Sequence, residues 1–278
     1  MVLKDVYKSC RNALADGGIE NAEFEARCLL EHLTGFNKAE QLAHGEDEFE
    51  KENELSQLIK RRLNREPLQY ILGSWSFCGF DFEVGEGVLI PRDDTEVVLG
   101  LCLEFLKNKP NAKVLDLCAG SGAISVAIAR LSNAEAEAVE LSDKAFIFLK
   151  KNIDKNHANV KPINGDIFEC HSEFENGKYD LIVSNPPYIR SDEIRTLQAE
   201  VQAEPAMALD GGDDGYDFYE AIIEHWSAKL KHGGALAFEL GEGQAEYVSE
   251  LMKQKGFANI RTELDFGGTQ RAIIGTML

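Results

Sequence analysis

The sequence predicts an α/β protein in which a doubly wound, mostly parallel sheet follows a small helical domain and a β-hairpin linker. Two observations carry that expectation. Beyond about residue 90, helical stretches alternate with short apolar runs, a pattern that right-handed crossovers turn into a parallel sheet covered by helices on both faces. Before about residue 65, only helical spacing is found. A length of 278 residues suits roughly two domains at ~150 residues each. A chain that is 44% hydrophobic and 28% charged has an ordinary globular composition, which excludes global disorder.

Leu3, Val6, Tyr7, Cys10 and Leu14 form an apolar stripe that Gly17-Gly18 ends. Ala26, Leu29, Leu30 and Leu33 form a second, ended by Gly35, and Leu55, Leu58, Ile59 and Leu63 a third, limited by Pro67. Residues 1–67 are therefore expected to be a helical domain, either a bundle that only packs or a surface that grips a macromolecular substrate. Across residues 68–90, Phe77, Phe80, Phe82, Val84, Val88 and Leu89 interleave with Gly79, Gly85 and Gly87, as in short strands joined by glycine turns. Residues 91–278 carry strand-like runs at Val114–Leu117, Ala136–Val139, Leu181–Val183, Ala235–Leu240 and Ala272–Ile274. No internal repeat or low-complexity tract interrupts them.

Lys+Arg 29 against Asp+Glu 48 give a net charge of −19, spread over both halves of the chain, so a polyanion would meet repulsion where non-specific binding needs a basic surface. Nucleic acid is a disfavoured partner, and a basic protein partner would be steered favourably. Cys10, Cys28, Cys78, Cys102, Cys118 and Cys170 include no C-x-x-C pair and no Cys/His cluster at zinc spacing, and His157, His171, His225 and His232 show no metal spacing. Free thiols in a reducing compartment and no metal are expected. The lack of a signal-peptide-like stretch and of ~18 consecutive apolar residues points to a cytoplasmic protein with no membrane association.

The strand-like Lys113–Leu117 runs into Cys118-Ala119-Gly120-Ser121-Gly122 and then a helical stretch. This places a glycine-bearing turn at the carboxyl end of a strand, where open α/β sheets bind ligands. Gly120 and Gly122 let the backbone approach a ligand, and the helix start offers unpaired N–H donors. Glu140 ends the next strand, where a carboxylate can accept both hydroxyls of a ribose; the alternative is a solvated strand-end acid. With Cys at 118 and Ser at 125 the dinucleotide fingerprint is incomplete, so adenosine without a diphosphate fits better. Asp166 and Ile167, after a third strand, can accept from an adenine amine and cover the ring, or Asp166 can simply form its own turn.

The strand Tyr179–Ser184 ends in Asn185-Pro186-Pro187-Tyr188. Two prolines stiffen this loop and present carbonyl acceptors without competing N–H donors. With the Asn185 side-chain carbonyl, the loop can accept both hydrogens of a planar NH₂ group while Tyr188 packs against it. A simple Asn-Pro turn is the alternative.

On these residues the chain resembles the class I S-adenosylmethionine-dependent methyltransferases and, within them, the release-factor glutamine methyltransferases. The tetrapeptide is shared with amino-methylating DNA and RNA enzymes. Arg65-Glu66-Pro67-Leu68-Gln69-Tyr70-Ile71-Leu72-Gly73, Leu89-Ile90-Pro91-Arg92-Asp93-Asp94-Thr95-Glu96, Glu204-Pro205 with Ala208-Leu209, and Gly211-Gly212-Asp213-Asp214-Gly215 are similar to the glutamine branch. Cys118 and Asp93 stand where that family usually has Gly and Pro; Cys118 suits a tight turn if its φ is negative.

The resemblance implies methyl transfer from S-adenosylmethionine, leaving S-adenosylhomocysteine, to the glutamine side-chain amide in the Gly-Gly-Gln loop of peptide chain release factors gripped by the N-terminal helices. It implies cofactor contacts from Cys118, Ala119, Gly120, Ser121, Gly122, Glu140, Asp166, Ile167 and Asn185, with Asn185, Pro186, Pro187 and Tyr188 catalytic. Glu239 and Arg271 either shape the pocket or form an edge ion pair. One rival is an amino-methyltransferase acting on adenine or cytosine, which predicts a basic groove and steep salt dependence. A second is a non-catalytic nucleotide-binding module in which the proline loop only caps a strand.

Overall fold

The computed structural model describes residues 1–278 and divides into two compact units, Met1–Gly73 with Gln198–Ala203, and Ser74–Leu197 with Glu204–Leu278. The first unit contains helices α1 (Leu3–Asp16), α2 (Ala22–Thr34), α3 (Lys38–Ala43), α4 (Glu52–Leu63) and α5 (Leu68–Leu72), plus a helical turn at Ala199–Gln202. The apolar stripes become its core: Leu3, Val6, Cys10 and Leu14 of α1 are buried with Ala26, Leu29 and Leu30 of α2 and Leu55 of α4. Among them the buried Arg62 guanidinium donates to Glu25 at 2.6 Å and to Glu200 at 2.9 Å.

Periodicity missed two of these helices. The one-and-a-half turns of α3 are too short to show a stripe, and its signal is a capping box, in which the Asn37 side chain accepts from Ala39 and Glu40 N–H while Glu40 accepts from Asn37 N–H. The strand character expected from residue 68 starts only at Ser74. Pro67 leads into α5, and Gly73, at φ +75°, ends it.

The second unit opens with the antiparallel hairpin β1 (Ser74–Phe77) and β2 (Phe80–Glu83). It continues as α6 (Thr95–Leu106), β3 (Lys113–Leu117), α7 (Ala123–Leu131), β4 (Glu135–Glu140), α8 (Asp143–Lys155), β5 (Val160–Asn164), β6 (Tyr179–Ser184), β7 (Leu230–Glu239), β8 (Phe257–Leu264) and β9 (Gln270–Met277), with further helices at Asp217–Trp226 and Ala245–Gln254. The sheet order is β5-β4-β3-β6-β7-β9-β8. The first five strands pair in parallel, and β9 runs antiparallel to both β7 and β8. Apolar side chains cover both faces of the sheet in two clusters, one around Val114, Val126, Leu181 and Ala237, the other around Leu115, Ile182, Trp226 and Phe238. No helix is long and apolar enough to cross a membrane.

Chain order runs outward from β3 through β4 to β5, then returns to the other side of β3 at β6. The strand-order reversal therefore lies between β3 and β6, and a crevice opens there beyond their carboxyl ends. Ser184 straps the two strand ends together, its hydroxyl donating to the Leu117 carbonyl at 2.6 Å.

Buried Asn152 of α8 substitutes for a missing strand neighbour. Its Nδ2 donates to the carbonyls of Glu83 and Ser121, both at 3.0 Å, and its Oδ1 accepts from Glu83 N–H at 2.6 Å. Asn152→Ala strands three buried or half-buried backbone groups. It is expected to lower unfolding free energy by about 3 kcal/mol in urea titrations; a loss below ~1 kcal/mol would show that water satisfies those groups instead.

Candidate active site

The turn after β3 starts with a residue in an unfavourable backbone region. Cys118 has φ +60°, against the negative φ under which a cysteine suits the turn. The conformation is the left-handed one that glycine takes at no steric cost. The half-buried thiol packs against the Leu115–Trp226 side of the core, and burial pushes it above the usual thiol range, so it stays protonated and inert. Cys118→Gly is expected to be within ~1 kcal/mol of the parent, because relief of strain offsets lost packing. Cys118→Val should cost more than ~2 kcal/mol, since a β-branched residue resists this conformation; equal stability of the two in thermal melts would exclude the strain.

Further along the turn, Ala119 N–H donates to the Val139 carbonyl at 3.0 Å. A side chain built on Gly120 would meet nothing within 4 Å; it would point into the crevice. Gly122, at φ +83°, is different, because a Cβ there would lie 2.6 Å from Leu149 Cδ1. Buried Asp116, at the end of β3, accepts from Ser125 N–H in the first turn of α7 at 3.0 Å, which favours the carboxylate at the helix start. Burial nonetheless raises its carboxyl to about 7, with Glu140 adding to the rise, and its second oxygen, Oδ1, has no hydrogen-bond partner.

Glu140 is held by two backbone donors, Gly120 N–H on Oε2 and Ser142 N–H on Oε1, each at 2.7 Å. Burial raises its pKa against those two bonds and a weaker one from the Leu141 backbone. The carboxylate keeps acceptor capacity for a further donor. Asp166 accepts from Phe168 N–H at 2.9 Å, so the turn-former reading holds for one of its oxygens, while Trp226 Nε1 fixes the Ile167 carbonyl at 3.0 Å.

Some of these groups border a cavity of about 310 Å³ whose walls are much more apolar than polar. Cys118, Gly120, Glu140, Asp166 and Ile167 lie on it together with Asn185 and Pro187 of the tetrapeptide. Ala119, Ser121, Gly122, Pro186 and Tyr188 are not among its lining residues. The sequence reading missed Leu89, Phe168, Pro205, Met207 and Phe218, which also border it; for Leu89 and Pro205 the only signal is the family-like segments containing them.

At the acceptor end, Asn185 Nδ2 donates to Thr95 Oγ1 at 3.3 Å, the Thr95 hydroxyl donates to Glu239 Oε2 at 2.6 Å, and the Tyr188 hydroxyl donates to Glu239 Oε1 at 3.2 Å. Glu239 is buried and held near pKa 7 by that burial, with Thr95, Tyr188 and Arg271 opposing the rise. It forms no edge ion pair: Arg271 bonds instead to Asp265 and Asp94, at 3.2 and 3.4 Å. Tyr188 thus has a fixed hydroxyl, not a free ring face at the cavity wall. Gln244 completes the support, donating to the carbonyls of Tyr188 at 3.0 Å and Gly215 at 3.2 Å.

A nucleoside-bearing cofactor fits the cofactor end on two grounds. Gly120 leaves open space on the cavity wall, and the Glu140 carboxylate retains acceptor capacity. The Asn185 end carries carbonyl acceptors suited to an amino or amide NH₂.

Comparisons with known proteins show what the chain as a whole is similar to. Residues 5–73 match the family described as PrmC N-terminal domain, and residues 99–260 match the family described as Methyltransferase small domain. The chain is 41% identical to the release factor glutamine methyltransferase of Geobacter sulfurreducens over 279 residues, covering 98% of this chain and 96% of that protein. It is 37% identical to the protein of the same name from Clostridium botulinum, covering 98% of each. Among solved structures, a Pyrococcus furiosus methyltransferase superposes with a TM-score of 0.53 at 17% identity, covering 82% of this chain and 98% of that one. A T. thermophilus 16S rRNA methyltransferase in complex with AdoMet and guanosine gives 0.55 at 22% identity, covering 74% and 50%. These two likenesses bear on the fold, which is that of the class I methyltransferases.

Proposed function

Because the chain belongs to the release factor glutamine methyltransferases, we propose that it methylates the side-chain amide nitrogen of the glutamine in the Gly-Gly-Gln motif of peptide chain release factors, using S-adenosylmethionine. The observation that carries this reading is the cavity at the β3/β6 crevice, which Gly120, Glu140 and Asp166 line together with Asn185 and Pro187. The six cysteines are unpaired, in keeping with a cytoplasmic setting. The helical N-terminal residues 1–67 are the proposed grip on the release factor.

Glu140 would accept the ribose hydroxyls, Asp166 and Ile167 would take the adenine, and the turn Cys118–Gly122 would border the remainder. When bound, S-adenosylmethionine supplies an electrophilic methyl group whose bonding pair stays on sulfur as S-adenosylhomocysteine forms. The acceptor presents a different difficulty. An amide nitrogen is a weak nucleophile because its lone pair is delocalised into the carbonyl. Hydrogen bonds from its NH₂ to Asn185 Oδ1 and the Pro186 carbonyl would hold the nitrogen in line and favour its pyramidal form as the new C–N bond grows. The nitrogen then carries positive charge and loses one proton to water. The Glu140 carboxylate on the cavity wall makes the surroundings favourable to a sulfonium.

The test is mass spectrometry of an unmodified release factor incubated with this protein and S-adenosylmethionine. A gain of one methyl group, mapped to the Gly-Gly-Gln glutamine, is expected. No gain while labelled cofactor still binds would overturn the substrate assignment and redirect attention to amino groups of nucleic acids.

A further inference from the structure

We propose that Thr95 and Glu239 are positioning residues that set the orientation of the Asn185 amide, turning its carbonyl oxygen toward the acceptor and its NH₂ away. The proposal rests on the reading of Asn185 as acceptor for the substrate amide. A hydroxyl has one proton, and Thr95 gives its proton to the carboxylate Oε2 of Glu239 at 2.6 Å. Only lone pairs of Thr95 Oγ1 then face Asn185, so the atom 3.3 Å away has to be the donor Nδ2. Oδ1, which accepts no hydrogen bond from the chain, is left for the substrate. The same carboxylate accepts the Tyr188 hydroxyl on Oε1, so one buried acid fixes two of the four tetrapeptide residues.

The polarity of this relay depends on the charge of Glu239. Around it stand the hydroxyls of Thr95, Tyr188 and Tyr219, the Arg271 guanidinium and the Asp94 carboxylate. Arg271 is engaged with Asp265 and Asp94 and makes no direct bond to Glu239, so burial dominates and holds the carboxyl at about 7. Once protonated, Glu239 can donate to Thr95. The threonine proton is then free to turn to Asn185, the amide rotates to meet it, and Nδ2 confronts the substrate NH₂ donor to donor. The raised pKa means that the competent, ionised form is lost as pH falls through about 7.

Steady-state kcat and KM for methylation of a release factor would be measured between pH 5.5 and 9, with S-adenosylhomocysteine affinity measured in parallel. The wild-type kcat is expected to rise about tenfold through an inflection near 7. Thr95→Val should lower kcat about tenfold to a hundredfold with KM and S-adenosylhomocysteine affinity within about threefold, and Thr95→Ser should restore most of the loss. Glu239→Gln should flatten the profile, leaving only what Asp116, whose carboxyl also lies at about 7, contributes. Wild-type kcat in Thr95→Val, with Asn185→Ala inactive, overturns the relay and leaves the acceptor reading intact. Wild-type kcat in Asn185→Ala overturns the acceptor reading itself. Should Thr95→Val fail to fold, the Glu239→Gln profile decides, and a profile unchanged from wild type overturns the relay.

Discussion

Asn185→Ala is expected to lower kcat for methyl transfer about a thousandfold while leaving S-adenosylhomocysteine affinity within about threefold. The substitution removes the only side-chain acceptor that the tetrapeptide offers an amide NH₂, and the rigid prolines beside it have no N–H with which to compensate. Cofactor affinity should hold because Glu140 and the glycine turn sit on β3 and β4, fixed by Gly120 and Ser142 N–H bonds that do not involve Asn185. A variant that keeps wild-type kcat would show that Asn185 is not the acceptor for the substrate amide. One that loses cofactor binding equally would make Asn185 a cofactor ligand first.

Gly211→Ala is expected to lower kcat about a hundredfold and unfolding free energy by about 2 kcal/mol, although residue 211 need not touch any ligand. A Cβ at this position would lie 2.7 Å from Tyr188 Cα and 2.9 Å from the Pro187 carbonyl oxygen. Those are backbone atoms of a proline-stiffened loop, also held by Gly211 N–H donating to the Ile189 carbonyl at 2.8 Å, so the loop has to shift. Gly100→Ala provides the control. That glycine lies in α6 with nothing within 4 Å of a built Cβ, and the change should stabilise by ~0.5–1 kcal/mol with kcat unchanged. Normal kcat in Gly211→Ala would mean that the loop tolerates a displacement of its backbone.

What was legible in the sequence was what is local. The turn after β3, the strand-end Glu140 and the proline tetrapeptide could each be placed because a strand, a loop and a helix start succeed one another within about ten residues. Strand β8 was not found. Its eight residues carry Glu and Arg, only Phe257 is buried, and a bulge at Asn259, with φ +50°, breaks the alternation. The antiparallel course of β9 was equally hidden, since apolar content gives no direction. Thr95 was invisible as a partner of Glu239 because 144 residues separate them, and no periodicity reports a hydrogen bond across such a span. Gly79, Gly85 and Gly87 announced short strands and turns, yet the five residues Leu68–Leu72 read as part of the same stretch and fold as α5.

The six residues Gln198–Ala203 that belong with the first 73 have a consequence for modularity. Arg62 is buried with Glu25 and takes its second carboxylate from Glu200, 138 residues downstream. The helical unit is therefore discontinuous, and no single cut yields it whole. A fragment ending at Gly73 would leave a buried guanidinium short of one counter-charge, a change of the kind that costs several kcal/mol. Recombination between relatives faces the same constraint: an exchanged N-terminal segment carries its Arg62 with it but leaves behind the Glu200 it was matched to. Productive chimeras need both pieces from one parent, which ties two distant stretches of the gene into a single unit of inheritance.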